Sequence, residues 1–211
     1  GDRAAREPWR NLVAQLWHAG LDPGGLEPLA GEAHGSLREL CESGIAAPPA
    51  SSTGRLFDAV AAALGICPRR QSYEGEAAMR LEALAGRAPG ATPYPFGIAA
   101  GPMPVIDPAP MWPPLLTDLR AGTPAPIIAR RFHEGLATVW SDVVATLAGR
   151  LGQQRVVLAG GVMQNRLLLE GLADRLLAAG LQPLIPARVP AGDGGLALGQ
   201  AVIAAALDEV P

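Results

Sequence analysis

Over most of the first part of the chain, apolar residues recur at helical spacing. Between Arg6 and Ala19, Leu12, Val13, Leu16 and Trp17 fall three to four residues apart, which places them on one face and predicts a helix. Ser36 to Ser43 predicts a short helix that Gly44 stops. Pro48-Pro49 breaks the chain, and Ser51-Ser52-Thr53-Gly54 then supplies N-cap hydroxyls for a helix through Leu64, closed by Gly65. A further helix, Glu74 to Ala85, has Ala77, Ala78, Leu81 and Leu84 to bury. The pattern changes between Pro89 and Pro126, which hold eleven of the 21 prolines. Long helices are excluded there, and Tyr94 to Ala99 and Met103 to Ile106 read as strands. Because apolar residues persist throughout this stretch, the reading favours a proline-edged sheet over a solvated linker.

From Pro126 to Gly149 comes the longest helix, with Ile127, Ile128, Phe132, Leu136, Val139, Trp140, Val143 and Leu147 as its apolar face. A strand (Arg155 to Ala159) then meets Gly160-Gly161, and Val162-Met163-Gln164-Asn165 reads as the opening of a leucine-rich helix. A second strand (Leu181 to Pro186) leads through Val189 to Gly195 into a last helix, Leu196 to Leu207. Strands alternating with helices imply a parallel element with helices packed over it, hence the α/β class. Composition divides the chain into a helical part, 1–88, and an α/β part of the same lobe, 89–211, with the two turns at 158–166 and 189–200. No internal repeat is visible.

A strand that turns into a helix through glycines is a common seat for phosphate. Glycine permits positive φ and close approach of a ligand, and the first N–H groups of the helix face outward with partial positive charge. The second turn adds a carboxylate, Asp193, at the mouth of the last helix.

Charge narrows the partners. A net charge of −3 and a pI near 5.6 give no electrostatic case for nucleic acid or an anionic membrane. No apolar run of about twenty residues occurs and the first residues do not resemble a signal peptide, so the reading is a folded cytoplasmic protein. Cys41 and Cys67 lie in neither CxxC nor CxxH spacing and read as two reduced thiols.

Six blocks carry a resemblance: Gly1 to Arg10 (GDRAAREPWR), Ser51 to Val60 (SSTGRLFDAV), Ser72 to Ala78 (SYEGEAA), Ile128 to His133 (IARRFH), Leu158 to Arg166 (LAGGVMQNR) and Val189 to Gln200, with its GDGGLALGQ. In this order they resemble, from end to end, the C-terminal part of the HypF carbamoyltransferases of [NiFe]-hydrogenase assembly. The resemblance implies the second lobe of an actin/sugar-kinase-like (ribonuclease-H-like) transferase domain, similar also to the tRNA threonylcarbamoyl-transferases. It implies transfer of carbamoyl from carbamoyl-adenylate, formed with ATP, to the C-terminal cysteine of HypE, with no covalent nucleophile in this chain. Members of the family carry upstream an acylphosphatase domain, zinc-finger modules, a nucleotide-activating domain and a first lobe with a His-x-x-x-His metal pair. The histidines here, His18, His34 and His133, lack that spacing, so a C-terminal fragment or truncated relative is expected.

By the same resemblance, Gly160, Gly161 and Asn165 lie against the nucleotide; otherwise they form a tight turn with an exposed Asn. Asp193 matches the carboxylate that completes an Fe or Zn site with histidines from outside this chain, or else it caps the last helix. Asp58, four residues after Gly54, matches an acid that holds ribose hydroxyls, or it stabilises a helix start. Glu74 and Gly75 match the other side of the nucleotide cleft, with Glu82 as an alternative acid. Arg55 contacts a phosphate or pairs with Asp58 or Glu74. His133 reads as an interfacial or surface histidine, and Trp9, Trp17, Trp112 and Trp140 as packing aromatics. Two rival readings remain: a non-catalytic module binding nucleotide or HypE, and an O-carbamoyltransferase of a small-molecule hydroxyl.

Overall fold

A short helix that the sequence pattern does not predict precedes the first predicted one, which starts at Pro8. Pro8 occupies the first turn of α2 (Pro8–His18), where its missing N–H costs nothing, and Glu7 leaves helical geometry between α2 and α1 (Asp2–Arg6). The computed structural model describes residues 2–29, 31, 34–44, 47–99, 101 and 103–208, apart from the side chains of His34 and Asp208. Gly1 of the first block therefore lies outside the described residues. By contacts the chain forms two units, Gly1–Val139 and Trp140–Pro211, a division that falls inside a helix and not at the composition change near residue 88.

The first unit is helical. Along with α1 and α2 it contains α3 (His34–Ser43), α4 (Thr53–Ala63), α5 (Glu76–Ala85), α6 (Trp112–Arg120) and the first part of α7 (Ala125–Leu151). Ser52 caps α4 by accepting from the Arg55 N–H. The alanines of α4 (Ala59, Ala61, Ala62, Ala63) let α2 approach closely, and Leu12, Val13 and Leu16 are sealed against that face. Each such apolar side chain contributes about 1.5–3 kcal/mol by leaving water. The proline-rich stretch forms an antiparallel pair, β1 (Gly97–Ala99) and β2 (Val105–Asp107), with Ile98 opposite Ile106. It also forms α6, which the proline count had argued against: Pro113 and Pro114 sit in the first turn of α6, where no N–H is needed. Gly135 lies mid-helix in α7 because a Cβ there would overlap the Tyr94 carbonyl oxygen.

The second unit takes the rest of α7, then β3 (Arg155–Val157), α8 (Arg166–Ala178), β4 (Gln182–Leu184) and α9 (Leu196–Asp208). β3 and β4 are parallel, with Val156 opposite Pro183, as the alternation of strands and helices implies. Leu158, Met163, Leu172 and Leu176 form its core, with Trp140, Val144 and Leu181 around them. The apolar side chains of α9 are uncovered: Leu196, Leu198, Val202, Ile203 and Leu207 are 54–67% exposed. Among the described residues, no helix is long and apolar enough to cross a membrane.

Candidate functional site

The two C-terminal turns are neighbours. β3 ends at Val157, and Gly160 takes φ +103°, a conformation open to glycine and strained for other residues. The Gly160 N–H donates to the Ala191 carbonyl at 2.6 Å, which ties the glycine turn to the loop before Asp193. The two backbones run so close that a Cβ on Gly192 would sit 3.3 Å from the Gly161 Cα and from Gln164 Nε2. On the other side there is space, since a Cβ on Gly160 or Gly161 would meet nothing within 4 Å. An approaching ligand would therefore find exposed backbone at this turn.

Gly161–Gln164 form a separate 3₁₀ turn, so Val162-Met163-Gln164-Asn165 precede the helix and do not open it. α8 begins at Arg166 with Asn165 as its N-cap, and Asn165 Oδ1 accepts from the Leu168 N–H at 2.9 Å. Asn165 is buried, not an exposed turn residue, and its carbonyl oxygen is committed to the helix. Asp193 is exposed and opens the 3₁₀ turn Asp193–Gly195. The N-cap of that turn is Gly192 and α9 starts at Leu196, so Asp193 does not occupy the N-cap position. Gly195 is required by packing, because a Cβ would lie 2.6 Å from the Pro190 carbonyl oxygen. Among the described residues, no three His, Cys, Asp or Glu side chains converge as a metal site. One carboxylate does not hold an Fe or Zn ion by itself.

In the first unit the candidate acid lies inside the packing. Asp58 is 1% exposed; its Oδ2 lies 2.7 Å from Arg55 Nη1 and its Oδ1 accepts from Gln71 Nε2 at 3.1 Å. Burial pushes its pKa up to about 6, against the opposing pull of Arg55 and Gln71. Oδ2 takes no aligned hydrogen bond but is sealed from solvent, so a ribose could reach it only if Arg55 or Gln71 moved. Arg55 also donates to the Ala4 carbonyl, so of its two carboxylate candidates it pairs with Asp58. Gly54 lies in the first turn of α4, and Gly75, at φ +81°, is the N-cap of α5. Glu74 is exposed, and Glu82, its alternative, is half-buried.

Sequence reasoning passed over Gln71 and Glu76. Gln71 ties together Asp58, the Ala5 carbonyl and the Ala77 N–H. Glu76 is 3% exposed, accepts from the Ser72 N–H at 2.5 Å and pairs with Arg80; the backbone hydrogen bond holds its pKa down. The i,i+4 spacing of Glu76 and Arg80 was a legible signal for that pair. His133 is a core residue and not a surface one. It is 2% exposed, with ring centroids 5.3 Å from Phe57 and 5.6 Å from Phe132, and burial holds its pKa near 4. Both cysteines are free thiols.

The family described as "Carbamoyltransferase, Kae1-like Domain, second subdomain" matches residues 1–200. The carbamoyltransferase HypF of Rhodobacter capsulatus is 43% identical over 213 residues, covering 98% of this chain and 26% of that protein. HypF of Rhizobium leguminosarum bv. viciae is 42% identical over 205 residues, covering 95% and 26%. The crystal structure of full-length HypF in a phosphate- and nucleotide-bound form superimposes with a TM-score of 0.87 at 30% identity, covering 98% of this chain and 27% of that one. The chain thus spans about a quarter of the length of these relatives.

Proposed function

The chain belongs to the HypF carbamoyltransferase family, as its Kae1-like second subdomain, and on that premise we propose that it forms one face of a carbamoyl-transfer cleft. The observation that carries the reading is the joined pair of turns, an open Gly160-Gly161 backbone tied through Ala191 to an exposed Asp193. In this reading the turn receives the phosphate of carbamoyl-adenylate. The Gly160 N–H is already spent on Ala191, so the donors facing the anion are those that follow it at the start of the 3₁₀ turn. Asn165 fixes where α8 begins and so fixes the shape of the turn.

The reaction is acyl transfer from a mixed anhydride. The acceptor is the C-terminal cysteine of a HypE-type partner. Its thiolate attacks the carbamoyl carbon, a C–S bond forms, the C–O bond to phosphate breaks, and AMP leaves with the electron pair. Asp193 would be one ligand of a metal set completed from outside this chain. Asp58 is assigned a structural role, holding α1, α4 and Gln71 together. The relatives' greater length and the uncovered apolar face of α9 support a part that works within a longer protein or beside separate domains. The chain alone then binds nucleotide without completing transfer.

Titration calorimetry of the 211-residue protein with ATP tests the binding half. Heat is expected, and the component from this turn should be lost in Gly161→Val, which fills the open space over it. No heat from folded protein would remove the nucleotide site, and carbamoyl transfer by the chain alone would overturn the partial-site reading.

A further inference from the structure

We infer that the cavity between α1 and the 68–70 loop is a binding site for a multiply charged phosphate anion, pyrophosphate or the phosphate tail of a nucleotide. This cavity, of about 340 Å³, is lined by Arg3, Arg6, Glu7, Trp9, Arg69 and Arg70. It lies wholly in the first unit, is distinct from the Gly160 turn, and does not rest on the carbamoyl-transfer reading.

Backbone bonds fix its walls. The Trp9 N–H donates to the Pro68 carbonyl and the Gln71 N–H to the Arg6 carbonyl, both at 2.8 Å, and Gln71 Nε2 donates to the Ala5 carbonyl at 2.8 Å. α1 and the loop are thus clamped, and four guanidinium-bearing residues share one concavity. The chain as a whole is acidic, with 20 Asp and Glu against 17 basic residues, all of them arginine. Arg10, Arg38, Arg55, Arg80, Arg130, Arg131 and Arg166 each have a carboxylate within ion-pair distance. Among the described residues, Arg3, Arg6 and Arg70 have no such partner. The one carboxylate in the lining, Glu7, is held by Arg10 at 2.5 Å. The cavity therefore keeps an uncompensated positive field between fixed walls, and an anion relieves the mutual repulsion.

The shape of the donors selects the anion. Guanidinium forks grip phosphate oxygens two at a time, more specifically than a point charge would. The cavity offers no stacking platform for a base: the Trp9 indole is 4% exposed, and the Arg10 guanidinium lies 4.5 Å from its ring centroid. Charge and forked geometry are what it presents, so it recognises phosphate and leaves any nucleoside outside.

The test is calorimetric titration of the 211-residue protein with pyrophosphate, with ATP and adenosine as parallel ligands. Saturable pyrophosphate binding is expected, weakening as salt rises. It should be at least about tenfold weaker in the double variant Arg3→Ala/Arg70→Ala, and Arg38→Ala, which removes an exposed arginine outside the cavity, should leave it unchanged. Adenosine should give no heat at this site. ATP binding as tightly as pyrophosphate and competing with it assigns the nucleotide tail, whereas tighter pyrophosphate assigns the free anion. Arg3 and Arg70 are exposed, so folding should survive their loss, with circular dichroism as the check. If the double variant does not fold, Arg70→Gln alone supplies the comparison. Absence of pyrophosphate binding by the folded protein, or equal binding by the arginine variants, would overturn the proposal.

Discussion

In residues 1–139 the acid singled out for ligand binding, Asp58, lies within helix packing and is held by Arg55 and Gln71. In residues 140–211 the glycines singled out for the same ligand lie on open surface beside an exposed Asp193. The first unit seals large side chains such as Phe57, Phe132 and Trp112, whereas the second has a cluster of smaller side chains around Leu158, Met163, Leu172 and Leu176 and leaves α9 uncovered. A motif residue buried and paired acts on stability and its pH dependence. One left exposed on a rigid turn remains available to a partner.

The largest test of that contrast is Phe57→Ala. It removes a ring 1% exposed and 4.9 Å from Phe132, and should cost about 3–5 kcal/mol in urea denaturation. A cost under about 1 kcal/mol would show that the first unit is not the tightly packed one.

Next come two opposed titrations in the same unit. Asp58 rises from 3.8 to about 6 on folding, so the folded state binds more protons between those values and stability declines as pH rises through them. His133 falls from 6.5 to about 4, so its contribution is present above pH 6.5 and lost as pH drops toward 4. Each is worth on the order of 2–3 kcal/mol, and in the native protein they largely offset between pH 4 and 6. Asp58→Asn should expose the histidine slope, with stability climbing from pH 4 to 6.5, and His133→Gln should expose the opposite one. Denaturation midpoints across that range check both; parallel curves for the two variants would refute the burial of either group.

In the second unit the effects shrink. Asn165→Ala removes the cap of α8 and should cost about 1 kcal/mol, whereas Asn165→Asp should keep most of it. An equal loss in both, measured by thermal melting, would mean that the cap is not what Asn165 supplies. Smallest of all, Leu198→Ser and Val202→Ser in α9 should change the stability of the isolated chain by no more than about 0.5 kcal/mol. A loss above about 1 kcal/mol would show that this helix is covered in solution.

Much of the fold was legible because local rules agreed with packing. Helical spacing located α2, α4, α5 and α7; Ser52 and Gly65 marked the ends of α4, and Gly44 the end of α3. The parallel β3–β4 pair followed from alternating strands and helices. α6 was missed because prolines were counted without regard to position, although a first turn tolerates them. In the candidate site, the positions of Gly160, Gly161, Asn165 and Asp193 were visible as a motif. The cap formed by Asn165 Oδ1 and the Gly160 to Ala191 bond were not, since each depends on where the chain goes next.

By itself the sequence determined the family, the α/β class and the residues at the two turns, because these rest on residue identity and on periodicity along the chain. Only the tertiary structure decided that Asp58 and His133 are buried, that Asp193 is not a cap, and that Arg3, Arg6, Arg69 and Arg70 share one cavity. Burial and convergence are properties of segments distant in sequence, and the fields and desolvation that set a group's chemistry arise only once those segments meet.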